Sequence, residues 1–340
     1  MPAALLQPSI DLRPGQSLTV ATPHVTVGII NYCQWRHVGQ LLNQLGACED
    51  AELLVLDNAS PPPDEKILID IEPTNATVYQ SSVNGGYAWA ANQIIQRSNS
   101  NWVLLLNPDT EVTPGFIDSL VQLCKELESE SNIGIVGLQL RDFDGKVQPS
   151  TGNFPTLGSL ISRMVLPRHL RKGNRISSGN RTPTNWVSGC GMLIRKECWQ
   201  SVGGCDDRFF LYYEDTDFCK RASEYGWDIC YEPGLAVYHL KPLHRRPVPP
   251  PLRLIVRHGL IRYASKHWWV ISFWMLLAII WAESTVRYVR ASLKFQPLAG
   301  YFRLMGKLTN LFFVGDQLQI EQLIKKSSLE LAQCPGREDC

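Results

Sequence analysis

An α/β domain with a doubly wound sheet is the fold this sequence predicts, on three observations. Short apolar segments rich in β-branched residues recur along the first half of the chain. Segments with helical spacing alternate with them. The runs in ELLVLD and WVLLLN are nearly continuous, as in strands buried on both faces of a mainly parallel sheet.

The elements follow in order. VTVGIINY is the first strand, and a helix from about Trp35 to Cys48 comes after it. ELLVLDNAS is a second strand, stopped by Pro61, Pro62 and Pro63, and TVYQSS is a weaker third. YAWAANQIIQRS reads as a helix and NWVLLLNPD as a fourth strand. PGFIDSLVQLCKELESE opens with a proline near its first turn and continues with helical spacing. Ligands of such sheets sit beyond the carboxyl ends of strands, near a switch point, and Asp57 and Asp109 both stand at such ends.

A second block runs from Ile133 to about His239 and includes a Gly/Ser/Arg-rich loop region near Arg171–Thr182. The expected organisation is an extension over 1–23, a main domain over 24–244, a stiff linker at Arg245–Pro251 and a helical region over 252–340. No internal repeat is present.

With 44% hydrophobic and 19% charged residues, a 340-residue chain can bury a sizeable core and is not a disordered polymer. Its net charge of +1 argues against a global nucleic-acid binder. The charge is unevenly spread, however. No acid lies between Glu232 and Glu283, an interval that holds Lys241, Arg245, Arg246, Arg253, Arg257, Arg262 and Lys266. The ten cysteines form no CxxC pair, and the closest loop-like pair is Cys334 and Cys340. A chain without a disulfide framework, and without a signal-like start, is expected in the reducing cytoplasm.

Four groups of residues could carry chemistry. Asn107-Pro108-Asp109-Thr110 follows an apolar strand, where a carboxylate can hold a divalent cation shared with diphosphate oxygens; the competing reading is a plain turn. Asn84-Gly85-Gly86 opens a helix, where phosphate could approach backbone N–H groups, or it is only a capped turn. It is neither GxGxxG nor a P-loop. Tyr212-Tyr213-Glu214-Asp215-Thr216-Asp217 places three acids within four positions, and their repulsion raises at least one pKa. On a helix, Glu214 and Asp217 share a face and Asp215 turns elsewhere, which makes Asp215 the candidate base. The alternative is an acid-rich helix start paired with Lys220 and Arg221. His239 ends the apolar strand GLAVYH; it is a structural histidine unless it meets Asp109 across the cleft.

Taken together, VTVGIINY, LLVLDNAS, NGGYAWAANQ, LLLNPDT, VSGCGMLIRKE, VGGCDDRFFLYYEDTDFCKRASEYGW and YEPGLAVYHL resemble the family 2 glycosyltransferases, in their rhamnosyltransferase-like branch, over about Val25 to Leu240. The resemblance implies a GT-A fold, Rossmann-like with a doubly wound mixed sheet, and inverting displacement at an anomeric carbon. It implies that Asp57 binds the nucleoside and that Asp109 is the last acid of the DxD motif, holding Mg²⁺ or Mn²⁺ against the donor diphosphate. Asp215, or its neighbour Glu214, matches the general base, and His239 a position that completes the metal site. Asn84, Gly85, Gly86, Asn92 and Asn107 are assigned with Asp57 and Asp109 to the donor site. Asn107 departs from the broad family by standing where DxD has its first acid.

Trp268–Ala282 is an uncharged apolar run with tryptophans at both ends. As a helix it spans about 22 Å, short of the ~30 Å hydrocarbon core. It is read as lying in a membrane interface, with a buried helix or dimer contact as the alternative. The implied function is transfer of a sugar, with dTDP-rhamnose ahead of UDP-sugars as donor, to a glycan or lipid-linked acceptor at the inner face of the membrane. A nucleotidyltransferase would need a Gly/Arg-rich loop after the first strand, and VGIINYCQWRH has none. A non-catalytic partner that organises a membrane-bound glycan-assembly complex is the remaining alternative.

Overall fold

Alternation within single strands decides how the sheet is covered. In WVLLL, Trp102, Leu104 and Leu106 face one hydrophobic layer and Val103 and Leu105 the other, and all five are buried. The computed structural model describes residues 7–11, 23–61, 76–165, 179–240, 249–293 and 299–332. The expected loop near Arg171 and the first part of the linker lie outside them.

The first half runs β1 (Gln7–Asp11), β2 (Val25–Asn31), α1 (Trp35–Leu45), β3 (Ala51–Asp57), β4 (Ala76–Gln80), α2 (Tyr87–Arg97), β5 (Trp102–Leu106), β6 (Thr110–Glu111) and α3 (Phe116–Leu127). There follow β7 (Ile133–Arg141), β8 (Thr151–Gly152), α4 (Leu157–Val165), β9 (Thr182–Pro183), β10 (Trp186–Val187), β11 (Gly191–Arg195), α5 (Lys196–Val202), α6 (Glu214–Glu224) and β12 (Asp228–His239). The chain ends in α7 (Pro250–His267), α8 (Val270–Leu293), α9 (Ala299–Val314) and α10 (Gln317–Ala332).

The main sheet has the order β1-β4-β3-β2-β5-β11-β7-β12-β6, with β9 against β12. Strands β2 to β5 are parallel, β11 runs against both β5 and β7, and β12 is parallel to β7. The sheet is therefore mixed. These directions bring the carboxyl ends of β3, β5 and β12 and the start of β11 to one edge, which collects Asp57, Asp109, Cys190 and His239. Helices α1 and α3 cover one face, and α2, α5 and α6 the other.

Two expectations need correction, and the extension over 1–23 acquires a role. The N-terminal extension supplies an edge strand, since Gln7–Asp11 pairs antiparallel with β4. Pro250 and Pro251, expected in the linker, form the first turn of α7, where a missing N–H costs nothing. The apolar run is the first part of a 24-residue helix, about 36 Å long at ~1.5 Å per residue, so the length argument against spanning fails. It is the one helix among the described residues long and apolar enough to cross a membrane.

The C-terminal helices form a third core around Leu254, Ile261, Leu277, Leu308 and Ile320. That core continues onto Phe210, Leu211, Tyr212 and Tyr213, just before α6. Gly259 makes the contact close: a Cβ there would lie 2.4 Å from the Tyr212 carbonyl oxygen. Gly259→Ala is expected to destabilise the protein by about 1–3 kcal/mol, because the obstacle is backbone and cannot rotate away. Urea unfolding checks this; a variant as stable as the parent would contradict the close docking of α7.

Candidate active site

Asp57 ends β3 with its carboxylate fully enclosed. It accepts hydrogen bonds from Asn31 Nδ2 (2.7 Å), Ser60 Oγ (2.5 Å) and the Ser60 N–H (3.1 Å). Burial pushes its pKa up while these bonds pull it down, with burial the larger effect. Asp57 therefore shapes the turn that follows, held there by Asn31 and Ser60. The next residue, Asn58, reaches further: its Oδ1 accepts from Gly85 N–H (2.9 Å) and its Nδ2 donates to the Gly86 carbonyl (3.2 Å).

The Asn84-Gly85-Gly86 segment differs from a phosphate cradle. Gly86 N–H donates to Asn84 Oδ1 (3.0 Å) and Tyr87 N–H to the Phe210 carbonyl (2.7 Å). With Gly85 N–H held by Asn58, three successive donors already have protein partners. Gly86 sits at φ +87°, and a Cβ there would lie 2.4 Å from the Phe210 oxygen. The glycines serve as a seam on which the segment before α6 docks. Asn92 is likewise corrected: Nδ2 donates to the Cys205 carbonyl (2.8 Å), and Oδ1 accepts from Cys205 N–H (2.8 Å) and Trp199 Nε1 (2.9 Å). It staples a loop and is spent on that task.

Asp109 and His239 do meet. Strand β6 pairs Thr110 with His239 on β12, and the Leu240 N–H donates to the Asp109 carbonyl (2.9 Å). His239 Nε2 lies 3.5 Å from Asp109 Oδ2. On its other side Nδ1 is 3.2 Å from Gln148 Oε1, which fixes the ring. Burial alone would lower the His239 pKa, but the Cys190 sulfur and the Asp109 carboxylate outweigh it and hold it up. A carboxylate oxygen and an imidazole nitrogen at this separation fit two adjacent ligands of one cation, given metal–ligand bonds of ~2.0–2.2 Å. Among the described residues no group of three or more His, Cys, Asp or Glu could hold a metal. A cation held by Asp109 and His239 has coordination positions left for water or for the oxygens of a bound molecule. Asn107 adjoins the pair through its backbone, with its N–H toward the Cys190 carbonyl (3.4 Å).

The three acids of α6 occupy three environments. Glu214 is buried, its Oε2 has no hydrogen-bond partner, and burial together with Asp215 pushes its pKa well up. Asp217 is enclosed and meets Arg221 Nε (2.8 Å), Lys266 Nζ (2.9 Å) and His267 Nε2 (2.7 Å). Burial would raise its pKa, but those partners hold the carboxyl below the usual range. Asp215 is only partly buried, and it accepts from Thr216 N–H (2.6 Å), Thr216 Oγ1 (3.1 Å) and Gly189 N–H (3.2 Å). Burial raises its pKa and the bonds moderate the rise. Tyr212 and Tyr213 enter the helix at φ +69° and +70°, a left-handed pair that only strong surrounding contacts sustain.

One turn, inside the VSGCGMLIRKE segment, links the two centres. Gly189 N–H bonds Asp215, and its carbonyl accepts from Tyr87 OH (2.7 Å). The next residue, Cys190, lies against His239. Gln148 and Tyr87 are supporting residues of the same kind, recognisable only once the chain is folded. Cys33 is disulfide-bonded, which departs from the expectation of a chain without disulfides.

Asp217→Asn is expected to cost about 1–3 kcal/mol, because Arg221, Lys266 and His267 lose a buried anionic partner while Arg221 and Lys266 keep contact with water. Since the folded pKa of Asp217 is depressed, its contribution is present above the unfolded carboxylate pKa and is lost as pH falls through the folded value. Urea unfolding from pH 7 toward acid pH should therefore narrow the gap between parent and variant below the unfolded carboxylate pKa. A gap that does not narrow on acidification would contradict the pairing.

The chain is similar to several known proteins. Residues 32–197 match the Glycosyl transferase family 2 family, a span that includes Asp57 and Asp109 and stops before Asp215. An N-acetylglucosaminyl-diphospho-decaprenol L-rhamnosyltransferase of Mycobacterium tuberculosis is 29% identical over 273 residues, covering 73% of this chain and 87% of the relative. Rhamnosyltransferase WbbL of Escherichia coli is 29% identical over 143 residues, 42% of this chain and 53% of the relative. The solved structure of GalNAc-T7 with UDP, GalNAc and Mn²⁺ aligns over 72% of this chain and half of its own, at TM-score 0.50 and 14% identity, a likeness of fold alone. Residues 32–197 of this chain form a family 2 glycosyltransferase domain on a GT-A fold, and the chain is a glycosyltransferase similar to rhamnosyltransferases.

Proposed function

We propose that the enzyme transfers rhamnose from dTDP-rhamnose to a hydroxyl of a lipid-linked or polysaccharide acceptor, working peripherally at the cytoplasmic face of a membrane. The observation that carries this reading is the turn Gly189-Cys190, which sets a carboxylate base beside a carboxylate–imidazole pair. The rhamnosyl specificity is supported by similarity to the two rhamnosyltransferases. UDP-sugars are the second donor class.

In the reaction, Asp215 accepts the proton of the acceptor hydroxyl as its oxygen attacks the anomeric carbon. The bond from that carbon to the donor diphosphate breaks on the opposite face, and its electron pair leaves with the phosphate oxygen, so configuration inverts. Asp109 and His239 would hold a divalent cation, which when bound supplies positive charge against the leaving diphosphate. The mixed oxygen–nitrogen pair suits Mn²⁺ better than Mg²⁺, which prefers an all-oxygen shell. The raised pKa of Asp215 makes it a stronger base than a solvated carboxylate. Glu214, buried and holding its proton, is poorly suited to that task.

Asp215→Asn is expected to lower kcat/KM by about 10²–10⁴-fold and leave nucleotide affinity unchanged. Glu214→Gln, which mimics the protonated acid, should keep most of the activity. The reverse pattern in steady-state assays would transfer the base role to Glu214. Parent kcat/KM should fall as pH drops through the raised Asp215 pKa, above the ordinary carboxylate range, because the base must be ionised. An acid limb at the ordinary carboxylate pKa would contradict this.

A further inference from the structure

Helix α8 divides its residues between two environments. Leu276, Leu277, Ile280 and Ser284 turn into the C-terminal core, packed with Leu308 and Ile320. The outward side of its first half carries no charge from Val270 to Ala282, and Ile271, Trp274 and Met275 are exposed there. The patch continues beyond the helix. Trp269, just before it, is 86% exposed, and Val314, at the end of α9, is 81% exposed. Trp274 stacks on Phe313, with ring centroids 5.0 Å apart, so the two helix ends form one surface. An apolar patch of this kind marks an interaction site.

Charge decides what covers it. The described C-terminal helices, residues 249–293 and 299–332, hold ten Lys and Arg against four Asp and Glu. A second copy of the chain would bring two cationic bundles together. An anionic leaflet would satisfy the charge, while exposed indoles and aliphatic side chains enter at headgroup depth. We infer that Trp269, Ile271, Trp274, Met275, Phe313 and Val314 form a docking surface for an anionic lipid bilayer, and that α8 lies along the interface without crossing it. Crossing would strip the Leu276–Ile280 face from the core and draw Glu283, Arg287 and Arg290 into hydrocarbon. Glu283 is instead paired with Arg257 of α7 (2.9 Å) and Arg287 (2.9 Å).

The same bundle end is tied to the acid helix. Lys266 and His267, at the end of α7, bind Asp217, and Trp268 Nε1 donates to the Pro155 carbonyl (2.8 Å). A bilayer held by Trp269 and its neighbours thus has a short rigid connection to α6 and Asp215. The benefit to catalysis rests on the lipid-linked acceptor proposed above; the surface itself does not.

The test is co-sedimentation of the full chain with vesicles of phosphatidylcholine alone or mixed equally with phosphatidylglycerol. Binding to the anionic vesicles, released by alkaline carbonate, is expected. The triple variant Trp269→Glu, Ile271→Glu and Val314→Glu should partition about tenfold or more weakly with an unchanged melting temperature. Retention after carbonate would overturn the interfacial placement in favour of a spanning helix. Absence of vesicle binding would overturn the surface, and a dimer that the triple variant abolishes would assign the patch to a second copy. Protein that binds vesicles and yet transfers no rhamnose to any acceptor would leave the docking surface standing and sink the transfer reading alone.

Discussion

A carboxylate enclosed at the start of a helix must be neutralised, and the way Asp217 is neutralised organises the rest of this molecule. One of its partners, Arg221, lies a turn along α6, but Lys266 and His267 come from α7. The pairing clamps the C-terminal bundle onto the catalytic domain. Because Asp217 faces inward, Asp215, two positions earlier on the helix, turns to the other side and reaches Gly189. The neighbouring contacts act in the same sense. Gly259 lets α7 press against the Tyr212 carbonyl, and the left-handed Tyr212–Tyr213 pair is held between that helix and the domain.

From that clamp the site is assembled by backbone more than by side chains. Phe210 sits on the Gly86 seam through the Tyr87 N–H, and the Tyr87 hydroxyl holds the Gly189 carbonyl. Gly189 then holds Asp215, while Cys190 contacts His239 beside Asp109. The proposed base and the candidate cation site are thereby set on either side of a dipeptide. This arrangement suits inverting transfer, where proton removal and departure of the diphosphate occur on opposite faces of one carbon.

Much of the frame was legible in the sequence because it depends on local pattern. The strands of the first half announce themselves by β-branched and continuous apolar runs, and Asp109, Asp215 and His239 stand in motifs with a recognisable order. What depends on distant partners was not legible. Asn92 looks like a polar group available to a ligand, and only the fold shows its amide consumed by Cys205 and Trp199. Asp57 stands at the right strand end, yet Asn31 and Ser60 close over it. The Gly85-Gly86 N–H groups suggest phosphate until Asn58 and Asn84 are seen beside them. The uncharged apolar run stops at Ala282 and is too short by itself to span, whereas the helix continues through a segment supported by the Glu283–Arg287 pair.

With Asp109 and His239 the two candidate ligands among the described residues, a cation at this site is proposed to depend on the donor for part of its coordination. Calorimetric titration of Mn²⁺ into the full-length enzyme, with and without TDP, measures that dependence directly. The structure predicts weak Mn²⁺ binding alone, much tighter binding with TDP, and loss of the enhancement in Asp109→Asn. Equally tight Mn²⁺ binding without nucleotide, or TDP binding indifferent to a chelator, would contradict a cation shared between Asp109, His239 and the donor diphosphate.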